Sequence, residues 1–152
     1  MGRLPYTYEH LDNLKEIGVV GMVSVVEPWE MPFKITEIQD SYGITVLLLP
    51  TPDYFSPTVP QIDEGIKFID EQSKKGSVYL HCHAGKGRSA IVMIAYLCVK
   101  NGWSLADSFR YVRSKRPIAN LALFFGIRPQ WRALLAWHTS YQHHLLQSKN
   151  LQ

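Results

Sequence analysis

One segment constrains the fold more than any other. From Ser77 the chain reads Ser-Val-Tyr-Leu-His-Cys-His-Ala-Gly-Lys-Gly-Arg-Ser-Ala and then stays apolar from Ile91 to Val99. A β-rich stretch runs through a short loop with two glycines into an apolar helix. Both the strand and the helix must be covered by other layers, because neither carries a polar face. A strand that feeds directly into a buried helix is the repeating unit of an α/β domain with a parallel sheet.

The rest of the chain fits that unit. Residues 8–17 have helical spacing and stop at Gly18, and residues 19–26 read as a buried strand followed by a loop at 27–30. A second apolar strand, 44–49, is ended by Pro50, and Pro52, Pro57 and Pro60 make the following segment a stiff loop. Ile62, Ile66, Phe68 and Ile69 predict a helix running to Gly76. Strand 77–81 and helix 90–100 flank the two-glycine loop. Ser104 is a good N-cap for a helix through Ser114 that turns Leu105, Phe109 and Val112 inward. Pro129 opens a last helix with an expected apolar stripe of Trp131, Leu134, Leu135, His138, Tyr141 and Leu145. Residues 1–152 are read as one α/β domain, a largely parallel central sheet flanked by helices, with no repeat or linker.

Composition narrows the function classes. A net charge of +3 is too weak to argue for nucleic acid, and no apolar run approaches the ~20 residues of a membrane span. The first residues carry neither a signal-peptide core nor an Arg-rich, acid-poor transit pattern. Cys82 and Cys98 do not form a spaced framework, which fits a reducing compartment better than secretion. A monomer is expected.

The loop carries the chemistry. Cys82 and Arg88 are separated by five residues, His83, Ala84, Gly85, Lys86 and Gly87. Successive backbone N–H groups on a curved loop form an anion nest, and the following helix adds its positive end. Gly85 and Gly87 are expected to supply backbone torsions that side chains resist. Arg88 offers a planar fork that matches two oxygens of a phosphate. The same positive field lowers a thiol pKa, making Cys82 a nucleophile that Ser89 can assist by a hydrogen bond to sulfur. An inert buried thiol would need neither the glycines, the arginine nor the helix start. A Walker-type loop is excluded, because Gly85-Lys86-Gly87 is followed by arginine and not by Ser or Thr.

A leaving alkoxide or phenoxide needs a proton, and Asp53 follows the second strand directly, on the ligand side of the sheet. Asp40 precedes a strand and belongs to the far side. Asp63 and Asp70 read as solvated helix faces. His81 either orients Cys82 or sits in the core as a strand-end histidine. Lys86 and His83 widen the positive field, and Arg128 reaches either a second substrate phosphate or a structural carboxylate. No metal or cofactor is required, since the loop itself supplies the charge. His143 and His144 are adjacent on a helix and point apart, so they are read as surface residues.

His81-Cys82, five residues, then Arg88-Ser89 resembles the signature loop of the protein tyrosine phosphatase superfamily, with a chain length similar to its dual-specificity branch. Glu27-Pro28-Trp29-Glu30 is similar to the acidic-aromatic loop of the mitochondrial tyrosine-phosphatase-like enzymes acting on phosphatidylglycerophosphate. The segment 49–58, with Asp53, resembles their acid loop, and Ile127-Arg128-Pro129-Gln130 their Ile-Arg-Pro segment. The resemblance implies a cysteinyl-phosphate mechanism and Asp53 as general acid. It also implies a substrate loop of Glu27, Trp29, Glu30 and Arg128, an anionic phospholipid substrate at a membrane surface, and a peripheral place on the mitochondrial inner membrane. The alternatives are a cytoplasmic dual-specificity protein phosphatase, a phosphoinositide phosphatase, or a phosphate-binding module without catalysis. Three departures from the family are expected: no first short strand ahead of Leu4-Pro5, a long connection at 118–126, and His83 where the family commonly has lysine.

Overall fold

The computed structural model describes residues 1–121 and 129–149. Four strands form one sheet in the order β1-β4-β2-β3, every neighbouring pair parallel. They are β1 (Gly2–Arg3), β2 (Val19–Ser24), β3 (Thr45–Leu48) and β4 (Ser77–Cys82). The helices are α1 (Tyr8–Glu16), α2 (Ile35–Tyr42), α3 (Val59–Gln72), α4 (Arg88–Asn101), α5 (Leu105–Lys115) and α6 (Pro129–Lys149), with a short 3-10 turn at Pro28–Glu30.

The sheet is covered on both faces, as parallel strands require. Leu11 and Leu14 of α1 and Ile38 of α2 pack on Val19, Met22 and Ile44. On the other face Ile69 of α3 and Val92 of α4 pack on Val23, Val25 and Leu80. Met22 and Val23 point to opposite faces, as a period of two demands. Val19 and Met22 share a face only because the pairing with β4 shifts register between Val19 and Gly21. The opposite side of α4, through Ile91, Ile94 and Cys98, packs on Leu105, Val112, Leu134 and Trp137 of α5 and α6. The helix is therefore apolar nearly all round, and its sequence signal follows from that.

Caps set the helix starts. Thr7, Thr58 and Ser104 each accept a backbone N–H from the third residue beyond, and Gln61 answers Thr58 by accepting its backbone N–H at 2.8 Å. This reciprocal pair starts α3 at Val59, so Pro60 belongs to a first helical turn and not to the preceding loop.

The structure corrects four expectations. A first strand is present, although short: Gly2 and Arg3 pair with His81 and Cys82, and the Leu4 N–H extends the contact to the His83 carbonyl at 3.1 Å. A glycine and an arginine have weak strand preference, so only the edge of β4 fixes them. Residues 27–30 and 35–42, between the first two strands, hold a 3-10 turn and α2. The helix was too short to announce its period and ends at Gly43 in the left-handed region. The buried stripe of α6 runs through Gln130, Leu134 and Trp137, while Leu135 and Leu145 are exposed. Trp137 decides that register: it is buried against α3, and its Nε1 donates to Asp63 at 2.7 Å. Asp63 is thus a hydrogen-bond acceptor and not merely a solvated carboxylate. Arg128 and residues 122–126 of the long connection lie outside the described residues.

Candidate active site

The parallel sheet brings the carboxyl ends of β4, β2 and β3 side by side, and the segments leaving them enclose a cavity of about 470 Å³. Cys82, His83, Ala84, Lys86, Gly87 and Arg88 form its floor, with Asp53, Tyr54, Asn120 and Gln130 around them.

The floor is shaped from below. Gly85 has φ of 65°, a left-handed turn that a side chain resists. Arg116 holds this turn from outside: its Nε donates to the Gly85 carbonyl at 2.7 Å and its Nη2 to the Ala84 carbonyl at 2.9 Å. With carbonyls drawn outward, amides turn inward, and the backbone N–H groups of Lys86 and Ser89 reach the Cys82 sulfur. Gly87 plays a different part from the expected one. Its φ of −115° is open to any residue, but a Cβ there would sit 2.6 Å from the Gln130 amide. Space, not torsion, favours glycine here, since a side chain would have to displace the Gln130 amide.

Cys82 is buried, and the Ser89 hydroxyl donates to its sulfur at 3.4 Å. Burial alone would raise the thiol. The Ser89 hydroxyl, the two backbone amides and the Arg88 charge outweigh it and hold the thiol below its ordinary value. The site therefore favours a thiolate at lower pH than a free cysteine. His81, one residue earlier, is fully buried and paired with the Ser24 hydroxyl at 2.8 Å across β4 and β2. Burial drives its pKa down to about 4, so the ring is neutral at pH 7. It ties the end of β4 to β2 beneath the loop.

Arg88 is 1% exposed, and its guanidinium is gripped on one side. Nη1 donates to Glu30 Oε1 at 2.6 Å and Nη2 to Glu30 Oε2 at 3.0 Å, a two-point carboxylate fork. Nη1 also donates to the Thr51 carbonyl at 2.8 Å, and Asp53 Oδ1 lies 3.3 Å from Nη2. Nε has no hydrogen-bond partner among the described residues. A buried N–H left without an acceptor is costly, so this atom gains from any acceptor that reaches it. Glu30 is held in turn by the Glu27 N–H, which donates to Oε1 at 2.9 Å. Burial would raise the Glu30 carboxyl, but hydrogen bonds from Arg88 and Glu27, with the charges of Arg88 and His83, keep it below the usual range.

The acidic-aromatic turn therefore works inward. Glu30, expected as a substrate contact, grips the arginine. Glu27 supplies a backbone donor, and Trp29 stands 80% exposed at the rim. Asp53 is on the cavity wall as expected, 58% exposed at its side chain, and accepts the Tyr54 N–H at 2.9 Å. Tyr54 has φ of 65°, uncommon for a residue with a side chain, so the loop turns sharply just after the aspartate. Asp40 lies in α2 and leads into the amino end of β3, on the far side as expected. Lys86 stands exposed at the rim. His83 lies between the Tyr6 hydroxyl, about 3.1 Å from Nε2, and Glu30 Oε2, 3.5 Å from Nδ1. Thr51, Arg116, Asn120 and Gln130 were missed as site residues. Arg116 and Asn120 carry no local motif, although Gln130 in the first turn after Pro129 was a readable cue.

Comparison with known proteins bears on this geometry. The catalytic domain of dual specificity phosphatases matches residues 9–139. The chain belongs to this family. It is 33% identical over 140 residues to the phosphatidylglycerophosphate phosphatase PTPMT1 of Arabidopsis thaliana, covering 91% of this chain and 40% of that protein. It is 30% identical over 133 residues to the human phosphatidylglycerophosphatase and protein-tyrosine phosphatase 1, covering 85% of this chain and 63% of that one. The chain thus spans less than two thirds of the length of either relative. Among solved structures it resembles Tk-PTP in its active form, with a TM-score of 0.78 at 32% identity over 89% of this chain and 87% of that one. PTPMT1 in complex with PI(5)P has the same fold, with a TM-score of 0.81 at 24% identity over 95% of this chain and 92% of that one.

Proposed function

We propose that the chain is a cysteine-dependent phosphomonoester hydrolase that removes the terminal phosphate of phosphatidylglycerophosphate. The observation that carries the chemistry is the convergence of the Ser89-bonded Cys82 sulfur with Arg88, whose buried Nε has no hydrogen-bond partner among the described residues. The Cys82 thiolate attacks phosphorus, the loop amides and Arg88 hold the equatorial oxygens, and the P–O bond to the glycerol breaks. Asp53 gives its proton to the departing alkoxide. Water then attacks the cysteinyl phosphate, Asp53 takes the proton back, and Ser89 stabilises the released thiolate. The products are phosphatidylglycerol and inorganic phosphate.

The lipid reading is supported by similarity to two proteins named for phosphatidylglycerophosphate. It carries with it a monomer working at a membrane surface, in mitochondria, on the route to cardiolipin. No described helix is long and apolar enough to cross a membrane. A dual-specificity protein phosphatase is the second reading, favoured by 34% identity over 122 residues to human dual specificity protein phosphatase 7.

One panel tests both. Purified protein is offered phosphatidylglycerophosphate, a phosphoinositide and a phosphotyrosine peptide, with Cys82→Ser as the blank. The lipid is expected to give the highest kcat/KM. A higher value on the peptide overturns the lipid reading, and no release above the blank from any substrate overturns catalysis.

A further inference from the structure

A second cavity, also about 470 Å³, opens on the outer side of the signature loop. Arg3, Tyr6, Arg116 and Ile118 line it, and His83, Ala84 and Lys86 form a wall common to it and the Cys82 cavity. Three permanent cations from three separate segments thus face one small space: β1, the loop, and the end of α5. Arg3, Lys86 and Arg116 have no carboxylate within ion-pair distance among the described residues. Arg116 lines the cavity while its Nε and Nη2 are engaged by the loop carbonyls. Both arginines act on the same neighbour: burial raises the Tyr79 phenol, while Arg116 and Arg3 pull it down. Like charges gathered without a counter-charge repel one another, and a bound anion removes that penalty.

We propose that this cavity is a second anion subsite that takes the phosphodiester of a lipid whose terminal phosphomonoester lies over Cys82. It rests on the hydrolase reading above and adds to it a reason for choosing substrates with two phosphates. The two cavities meet at His83, Ala84 and Lys86, so a ligand with a phosphate in each must cross these loop residues, and this adjacency favours two phosphates joined by a short linker such as glycerol. Arg3 is the residue that separates this subsite from the catalytic floor. It lines only the second cavity of the two, and its side chain is exposed. Arg116 cannot serve that purpose, because it also shapes the loop.

The test is binding to the full chain carrying Cys82→Ser, followed by calorimetry. The probes are the deacylated headgroup glycerophosphoglycerol phosphate, which has two phosphates, and glycerol 3-phosphate, which has one. Adding Arg3→Ala is expected to weaken the two-phosphate probe about tenfold, the worth of one charge-assisted contact, and to leave the one-phosphate probe within about twofold. Arg3→Lys should retain most of the affinity, and Arg3→Glu should lose more than Arg3→Ala. Equal loss on both probes, or no loss on either, overturns the subsite. A peptide with two neighbouring phosphates is the third probe: if Arg3→Ala weakens it and spares the lipid headgroup, the lipid assignment is overturned. None of these outcomes depends on turnover. Failure of the lipid reading in the substrate panel is therefore distinct from failure here.

Discussion

The cavity floor and the carboxylate wall around its Arg88 both set the charge at one phosphate site, but they are built differently. The floor is a single run, Cys82 to Ser89, whose donors are mostly backbone amides fixed by β4 on one side and α4 on the other. The wall comes from two distant segments leaving β2 and β3, and it acts through side chains, Glu30 and Asp53. Backbone donors survive any side-chain exchange short of proline and do not reorient. Side-chain carboxylates can be exchanged one at a time, and they differ in burial: the Glu30 side chain is 17% exposed and that of Asp53 58%. The floor should therefore respond to mutation all-or-none, and the wall by degrees.

Breaking the floor gives the largest effects. Cys82→Ser should reduce turnover by at least about 10⁴-fold while phosphate still binds, because the amides and Arg88 remain. Turnover within tenfold of wild type would show that sulfur is not the nucleophile. Arg88→Lys should reduce kcat/KM by roughly 10²- to 10³-fold, since an ammonium cannot engage Glu30 and two phosphate oxygens together. A change of only a few fold would mean that the buried Nε takes no part in the reaction.

The wall should split according to role. Asp53→Asn is expected to slow hydrolysis of a glycerophosphate lipid by roughly 10²-fold and an aryl phosphate with a good leaving group far less. Asp40→Asn, on the other side of the sheet, should do neither. Glu30→Gln keeps the shape but loses the charge on Arg88, and about tenfold is expected on every substrate, whatever its leaving group. Equal losses for Asp53→Asn on good and poor leaving groups would put Asp53 in the same class as Glu30, a residue that positions Arg88 and donates no proton. The Glu30 carboxyl is also held low in the folded chain. Its contribution to stability is present above the ordinary carboxylate range and is lost as pH falls through the depressed value.

The same contrast governs what was legible in the sequence. The floor lies in one contiguous segment, so its nucleophile, arginine, glycines and helix start could be read together. The alternation of strands and helices was legible for the same reason: β2, β4 and α4 are buried nearly all round and show as apolar runs. Glu30 was singled out, but its direction was not, because only the tertiary fold brings the end of β2 against Arg88. Arg116 was invisible: nothing in Lys115-Arg116-Pro117 tells of two loop carbonyls more than thirty residues earlier. The two-residue β1 and the short α2 carry too little pattern to stand out, and the α6 stripe slipped because Trp137 and not Leu135 meets α3.

The smallest expected effect tests the floor where it does use a side chain. Ser89 donates to the Cys82 sulfur at 3.4 Å, beside backbone donors that Ser89→Ala leaves in place. Burial raises the thiol, and Ser89 leads the groups that bring it down. Alkylation by iodoacetamide across pH reads this balance directly, because only the thiolate reacts. The wild-type midpoint should lie below that of a free cysteine. Ser89→Ala should move it upward without reaching the value of an unfolded chain, since the Lys86 and Ser89 amides and Arg88 still favour the anion. The thiolate's contribution to folding is present above the unfolded thiol's value and lost as pH falls through the folded one, so Ser89→Ala should narrow that window from the acid side. A phosphate-release assay on Ser89→Ala should show a larger loss for breakdown of the cysteinyl phosphate than for its formation, because sulfur is the leaving group only in the second step. An unmoved alkylation midpoint would mean that the backbone amides alone set the thiolate, and that the floor has no side-chain donor to sulfur apart from the charge of Arg88.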